Sequence, residues 1–224
     1  MCGRVTQQRP TAELAALFAA EPLVDDPGGH FNLAPTQEAA VVVEHDQRRA
    51  VTAYRWGLIP SWARDAKIAS RLFNARAETV ATSGAFRDSF RKRRCIVPAD
   101  GFYEWRRDAG SRQPFLIHRV DGSPLALAGL WSAWRDPVTE QVRRTFTILT
   151  TTPNELIATL HDRMPVILDP RDWDLWLDPT LTDVGELHGL LRPALSETLE
   201  LYPVRPLVNS VRNDGPELIL PAPD

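Results

Sequence analysis

Apolar and polar positions alternate along this chain with two different periods. Between 11 and 20 (TAELAALFAA), Leu14, Leu17 and Phe18 share one stripe, which predicts a helix with Thr11 as its N-cap. Residues 31–35 form a short extended piece closed by a proline. Residues 39–44 and 50–56 are β-branched and read as the two arms of a hairpin. The segment 56–64, with two tryptophans, a glycine and a proline, fits no regular element. A basic helix is predicted over 86–94, and two short strands around a Pro/Asp/Gly turn over 95–105. Residues 113–120 and 124–134 read as a hairpin through Asp121-Gly122. A strand over 143–151 follows, then a short helix over 153–160 and an apolar strand over 164–168. Helices over 169–176 and 187–191 and an extended stretch over 202–211 complete the pattern.

The chain has 224 residues, which suits one domain spanning 1–224, and 43% of them are hydrophobic, as in a globular protein. No apolar run approaches the roughly 20 residues of a membrane helix, and the N-terminus lacks the layout of a signal peptide. Two cysteines, Cys2 and Cys95, make no disulfide framework, so a reducing cytoplasm is expected. Cysteine and histidine spacings make no zinc site, and neither GxGxxG nor a P-loop is present, so neither metal nor cofactor is expected. The net charge of −3 argues weakly against nucleic acid, but a local basic patch decides that question.

Candidate chemistry begins at Met1-Cys2-Gly3-Arg4. Methionine aminopeptidases remove an initiator Met that precedes a small residue, so the mature chain is expected to begin at Cys2. An α-amine titrates near 7.7–8.0, against about 10.4 for lysine, so a useful fraction is uncharged at neutral pH. The free amine can attack an aldehyde to form a Schiff base, and the thiol can add to that imine. The product is a five-membered thiazolidine, which an internal cysteine cannot form. A chance start at Cys2 is the plain alternative for so short a motif.

Four further places carry candidate residues. Trp62, on the irregular segment beside Arg64, is the better candidate for an exposed stacking ring, whereas Trp56 is expected to be buried. The run Arg87, Arg91, Lys92, Arg93 and Arg94 is either a solvated helix face or a phosphate-contacting surface. Glu104 lies between Tyr103 and Trp105 on a strand, so it points away from both. Surrounded by apolar groups, its carboxyl favours the neutral form and can donate a proton; in solvent on an edge strand it does neither. His161 follows a helix and precedes an apolar strand, and Asp162 and Arg163 beside it could pair and fix that turn.

Read in order, Met-Cys-Gly-Arg, Phe-Asn-Leu-Ala-Pro, Phe-Asn-Ala-Arg-Ala-Glu-Thr, Gly-Phe-Tyr-Glu-Trp and His-Asp-Arg-Met-Pro-Val-Ile-Leu resemble the SRAP family of SOS-response-associated, abasic-site-processing proteins. The resemblance implies a single α+β domain on a barrel-like, mostly antiparallel sheet with flanking helices, and a positively charged groove leading to Cys2. It implies binding of single-stranded DNA, or of single-strand/double-strand junctions, that carry an abasic site, by a monomer. Cys2 would form the thiazolidine with the ring-opened sugar aldehyde. Asn74 would orient the sugar or the amine, Glu104 would move protons, and His161 would assist Schiff-base formation. Arg4 and Arg76 would hold flanking phosphates and Trp62 would stack near the strand. The family also shows lyase behaviour and has been classed as peptidases. Many relatives carry an arginine where this chain has Gly84, so the resemblance leaves that phosphate contact open, with Arg87 or Arg91 on the next helix as candidates to replace it.

Two rival readings remain at this stage. An N-terminal-nucleophile amidohydrolase of the glutaminase kind also begins Met-Cys-Gly, but usually with an aliphatic residue in place of Arg4, and its downstream motifs are missing. A DNA-binding module without catalysis would leave Cys2 dispensable.

Overall fold

A computed structural model describes residues 2–25, 29–45, 47–108 and 111–223. In chain order come β1 (Val5–Gln7), α1 (Thr11–Leu17), β2 (Glu21–Pro22) and β3 (His30–Leu33). β4 (Glu38–His45) and β5 (Arg48–Trp56) are the expected hairpin, antiparallel from Glu38↔Arg55 to His45↔Arg48. β6 (Asn74–Arg76), α2 (Arg87–Lys92), β7 (Arg94–Ala99) and β8 (Gly101–Asp108) precede the long strands β9 (Ser111–Arg119), β10 (Leu125–Arg135) and β11 (Val142–Thr151). The last part holds α3 (Glu155–Ala158), β12 (Met164–Pro165), α4 (Trp173–Leu177), α5 (Val184–Gly189) and β13 (Leu199–Pro203).

Five strands close into a barrel in the order β5-β4-β7-β10-β11, and β11 returns to β5 as a parallel neighbour through Thr145↔Arg55 and Phe146↔Trp56. Every other contact in the ring is antiparallel. Because strand side chains alternate, each strand feeds two separate cores. On β7, Cys95 and Val97 join one core while Ile96 joins the other. The Ile96 core is covered by Leu14, Phe18, Phe90, Trp176 and Leu187 from the helices. The Cys95 core also takes Cys2, Val5, Leu33, Phe102 and Ile117 from a second sheet, ordered β13-β9-β8-β1-β3.

Gln7 fastens that second sheet to the barrel. The β4–β7 ladder holds only Val42↔Ile96 and Val43↔Cys95, and Pro98 has no N–H to extend it. The buried Gln7 amide group fills the gap. Its Nε2 donates to the carbonyls of Ala40 (3.0 Å) and Pro98 (2.7 Å), and its Oε1 accepts from the Ala40 N–H (2.7 Å).

β6 resumes the line that β5 leaves. Both run parallel to β11, β5 at Thr145 and Phe146 and β6 at Ile148 to Thr150. The chain departs at Gly57, whose φ of +112° suits glycine and where a Cβ would meet the Ala69 carbonyl at 2.8 Å. It returns at Phe73, whose carbonyl accepts from Trp56 Nε1 (2.8 Å). This excursion is the irregular segment of the sequence. Trp56 is fully buried, as expected, and Trp62 is 58% exposed.

Several sequence expectations need correction. Thr11 is the first helical residue rather than the cap, which is Pro10. Residues 113–120 and 124–134 are not a hairpin: β9 pairs with β8 and β13, whereas β10 pairs with β7 and β11. The Asp121-Gly122 turn is real, with Gly122 at φ +70°, but it carries the chain from one sheet to the other. Arg94 belongs to β7, not to the basic helix. Its buried guanidinium donates to the Trp176 (2.6 Å), Phe90 (3.0 Å) and Leu181 (3.1 Å) carbonyls, so it contributes no surface charge. The stretch 202–211 is extended only to Pro203 and then turns into a 3₁₀ segment, Pro206–Asn209.

Replacing Gln7 by leucine leaves the Ala40 N–H and two carbonyls buried without partners. We expect Gln7→Leu to lower unfolding free energy by roughly 2–4 kcal/mol, at about 1–3 kcal/mol per orphaned group with partial relaxation. Urea denaturation checks this, and a loss below about 0.5 kcal/mol, the size of a neutral surface change, would show that the bridge is dispensable.

Candidate active site

The start of the chain is laid along β8. Val5 pairs with Phe102, and the Tyr103 N–H donates to the Arg4 carbonyl (2.9 Å). Continuing that antiparallel register sets Gly3 opposite Glu104. Cys2, next along, is fully buried in the core between the barrel and the second sheet. A cavity of about 310 Å³ opens there, lined by Gly3, Arg4, Glu104 and His161 together with Phe73, Trp105, Arg112 and Asn209.

Glu104 occupies the face that strand alternation gives it. Its neighbours Tyr103 and Trp105 enter a different core with Leu116, Val208 and Leu218. Glu104 itself is 5% exposed on a central strand, between β1 and β9. Burial pushes its carboxyl above the usual carboxylate range. Burial also pushes the Cys2 thiol up, with the Glu104 charge adding to it, to about 12. Burial thus shifts both groups in the same direction, toward their protonated forms.

His161 accepts the Arg163 N–H on Nδ1 (3.0 Å), which puts the ring proton of the neutral imidazole on Nε2. The Asp162 carboxylate lies 2.8 Å from the same nitrogen and accepts from it whenever Nδ1 carries a proton, so the two contacts compete. Asp162 does not pair with Arg163. That arginine makes a two-pronged contact with Glu78 (2.5 and 2.9 Å) and donates to the Thr150 carbonyl (2.6 Å). The turn is fixed from outside itself, by the segment that follows β6.

Asn74 begins β6, next to the cavity-lining Phe73. Its Nδ2 donates to the Phe73 carbonyl (3.1 Å), while its buried Oδ1 has no partner among the described residues. A buried acceptor without a donor is an open position for one. Arg4 is more committed than a free phosphate ligand would be. Its Nη1 donates to Asn32 Oδ1 (2.7 Å) and the Val208 carbonyl (2.5 Å), and its guanidinium sits 5.7 Å from the Trp105 ring centre.

Cys2 and Asn74 are not among the residues that line this cavity, and neither are the remaining predicted residues. Arg76 is exposed at the end of β6. Trp62 donates from Nε1 to the Gly84 carbonyl (3.2 Å), and a side chain at Gly84 would meet nothing within 4 Å, so an arginine has room there. Arg87 and Arg91 are exposed on α2, Arg87 lying 3.7 Å from Asp88. Met1 lies outside the described residues.

Sequence reasoning missed Arg112, Trp105 and Asn209 as lining residues. Arg112 stacks 4.9 Å from the Trp105 ring centre, and Trp105 Nε1 donates to Asn209 Oδ1 (2.7 Å). The available signal was the β8–β9 register, Trp105↔Pro114 and Arg107↔Arg112, which sets Trp105 and Arg112 on one face. Among the described residues no three of His, Cys, Asp or Glu gather to hold a metal, and no helix is long and apolar enough to cross a membrane.

Residues 1–211 match the family described as SOS response associated peptidase (SRAP). The abasic site processing protein YoqW of Bacillus subtilis is 40% identical over 222 residues, 98% of this chain and 99% of that protein. The abasic site processing protein YedK of Escherichia coli is 31% identical, covering 99% and 100% of the two chains. A crystal structure of a protein from Bacteroides thetaiotaomicron superimposes with a TM-score of 0.89 at 27% identity, covering 99% of this chain and 100% of that one.

A carboxyl whose folded pKa is raised supports the fold fully below its unfolded value, about 4.3 for glutamate, and loses that support as pH rises through the folded value. Glu104 is such a group. We expect Glu104→Gln to gain stability relative to the native chain between pH 4 and pH 8, by about 1.4 kcal/mol for each unit that the folded pKa is raised. Urea unfolding of both proteins across this range checks it. A difference that does not change with pH would remove the burial penalty from the account.

Proposed function

Because the chain belongs to the SOS response associated peptidase family, we propose that it captures abasic sites in single-stranded DNA, or at single-strand/double-strand junctions, through a Cys2 freed of Met1. The observation that carries this reading is the pairing of Cys2 with the buried Glu104 beside a cavity that also receives Arg4, Arg112 and His161. A terminal amine and thiol suit an aldehyde, and cations at the entrance suit one that is attached to phosphates.

The proposed steps balance as follows. The uncharged Cys2 amine attacks C1′ of the ring-opened sugar and gives a carbinolamine. Protonated Glu104 donates its proton to the leaving hydroxyl, water departs, and an iminium remains. The resulting Glu104 carboxylate takes the thiol proton as sulfur adds to the iminium carbon. Glu104 ends protonated again, the nitrogen is neutral, and one water has been lost overall. A thiol pushed up by burial needs such a base at the moment of attack, and a carboxyl pushed up by burial is better suited to act first as the acid. His161, with its proton on Nε2 when neutral, assists proton transfer during amine attack. The open acceptor Asn74 Oδ1 orients the amine. Arg4, Arg76, Arg87 and Arg91 contact phosphates along the strand, Trp62 stacks on a base, and Arg112 is the more available cation at the lesion itself. Sulfur addition also diverts the imine from β-elimination, the route by which the same intermediate would cleave the strand as a lyase. Removal of Met1 is the only peptide-bond cleavage this proposal requires.

The test uses an oligonucleotide with one abasic site, analysed on denaturing gels with and without borohydride. The native protein should give an adduct stable without borohydride. Cys2→Ala, which keeps an α-amine, should give one only when the imine is reduced. Glu104→Gln should slow stable-adduct formation by about 10²–10⁴-fold, the usual contribution of a positioned acid–base group. A stable adduct from Cys2→Ala would overturn the proposal. Ammonia release from glutamine without any adduct would instead mark the amidohydrolase.

A further inference from the structure

The barrel is not closed along its whole length. On the outer edge of β5, β2 pairs at Ala50 and Val51, and β11 pairs only at Arg55 and Trp56. Residues 52–54 of β5 and 142–144 of β11 instead face each other across a cavity of about 1040 Å³. Its wall carries the Tyr54 and Trp131 rings, 5.6 Å apart at 51°. Trp131 keeps partial exposure, whereas Tyr54 is 6% exposed. The rim is cationic, with Arg48, Arg55, Arg143 and Arg144 against Glu21 and Glu38.

Those cations are poorly compensated. Arg143 reaches Asp136 (3.3 Å) and lies 5.8 Å from the Trp134 ring centre. Glu38 stands opposite Arg55 in the β4–β5 register, yet the two make no ion pair. Neither Arg55 nor Arg144 has a side-chain hydrogen bond or ion pair among the described residues. A chain with net charge −3 thus gathers positive charge at one opening where like charges repel. An anion relieves that repulsion, and an aromatic, partly apolar wall adds a surface for a planar ring. The cavity is of the size that takes a small organic ligand.

We propose that this opening binds a nucleoside phosphate, its base against Trp131 and its phosphate between Arg55 and Arg144. The ligand is either a free nucleotide or one nucleotide of a DNA strand bound elsewhere on the protein. The site shares no lining residue with the Cys2 cavity, so its occupancy does not depend on the capture chemistry.

Titration of the Cys2→Ala protein with thymidine monophosphate tests this, because no cross-link can form through sulfur. The readout is the Trp131 indole N–H resonance, assigned with Trp131→Phe. We expect a saturable shift, weakened roughly tenfold or more in Arg55→Ala/Arg144→Ala. Both arginines are exposed, and an unchanged melting temperature will show that the variant folds. Competition by a lesion-free oligothymidylate would support the proposal with the strand as source. Lack of competition would support it with the free nucleotide as ligand. No shift with either ligand, an equal shift in the double-arginine variant, or equal affinity for inorganic phosphate would overturn it.

Discussion

The structure depends on tying down the one part of a chain that is normally loose. Chain ends fray unless a sheet or a core holds them. Here Val5 pairs with Phe102, Tyr103 donates to the Arg4 carbonyl, and the Arg4 side chain reaches Asn32 and Val208. Gln7, two residues further on, bolts the same strand to the barrel. Cys2 therefore sits in a core instead of in solvent, beside a glutamate that strand alternation turns toward it. Without that anchoring, the Cys2 thiol would be an ordinary solvent-exposed group.

In the proposed capture, burial is also what gives the pair its chemistry. A solvated Glu104 would be ionised at neutral pH and unable to donate a proton, and a solvated thiol would be partly ionised without help. Desolvation pushes both toward their neutral forms. The proton can then pass from acid to leaving hydroxyl and from thiol to carboxylate within one pocket. The cost is borne by the fold, because holding Glu104 in the core opposes its ionisation at neutral pH.

Local pattern made some elements legible and left others hidden. The β4–β5 hairpin, the burial of Trp56 and the exposure of Trp62 follow from alternation or composition within a few residues. Alternation set Glu104 only opposite to Tyr103 and Trp105, and its burial comes from the central place of β8 in its sheet. Partner choice between strands has no such local signal. Asp121-Gly122 makes a real turn, yet β9 and β10 part into different sheets, a decision taken by tertiary packing. Arg94 read as surface charge because Arg91, Lys92 and Arg93 precede it, whereas carbonyls both one turn back and more than 80 residues away take up its donors. Arg112 escaped notice for a related reason: only the β8–β9 register brings it to Trp105 and the cavity. The resemblance of five ordered motifs supplied Asn74, which no local rule would have singled out, and the role expected of His161, which local pattern marked only by its place between a helix and a strand.

The central claim is that the amine and thiol of a terminal Cys2 act together on one aldehyde carbon. Intact mass spectrometry after incubation with abasic single-stranded DNA tests it most directly. The account predicts a chain lacking Met1 and a species equal to that chain plus the oligonucleotide less one water, surviving without reduction. A chain that keeps Met1 yet still forms the adduct, or an adduct whose mass maps by proteolysis to any residue other than Cys2, would contradict it.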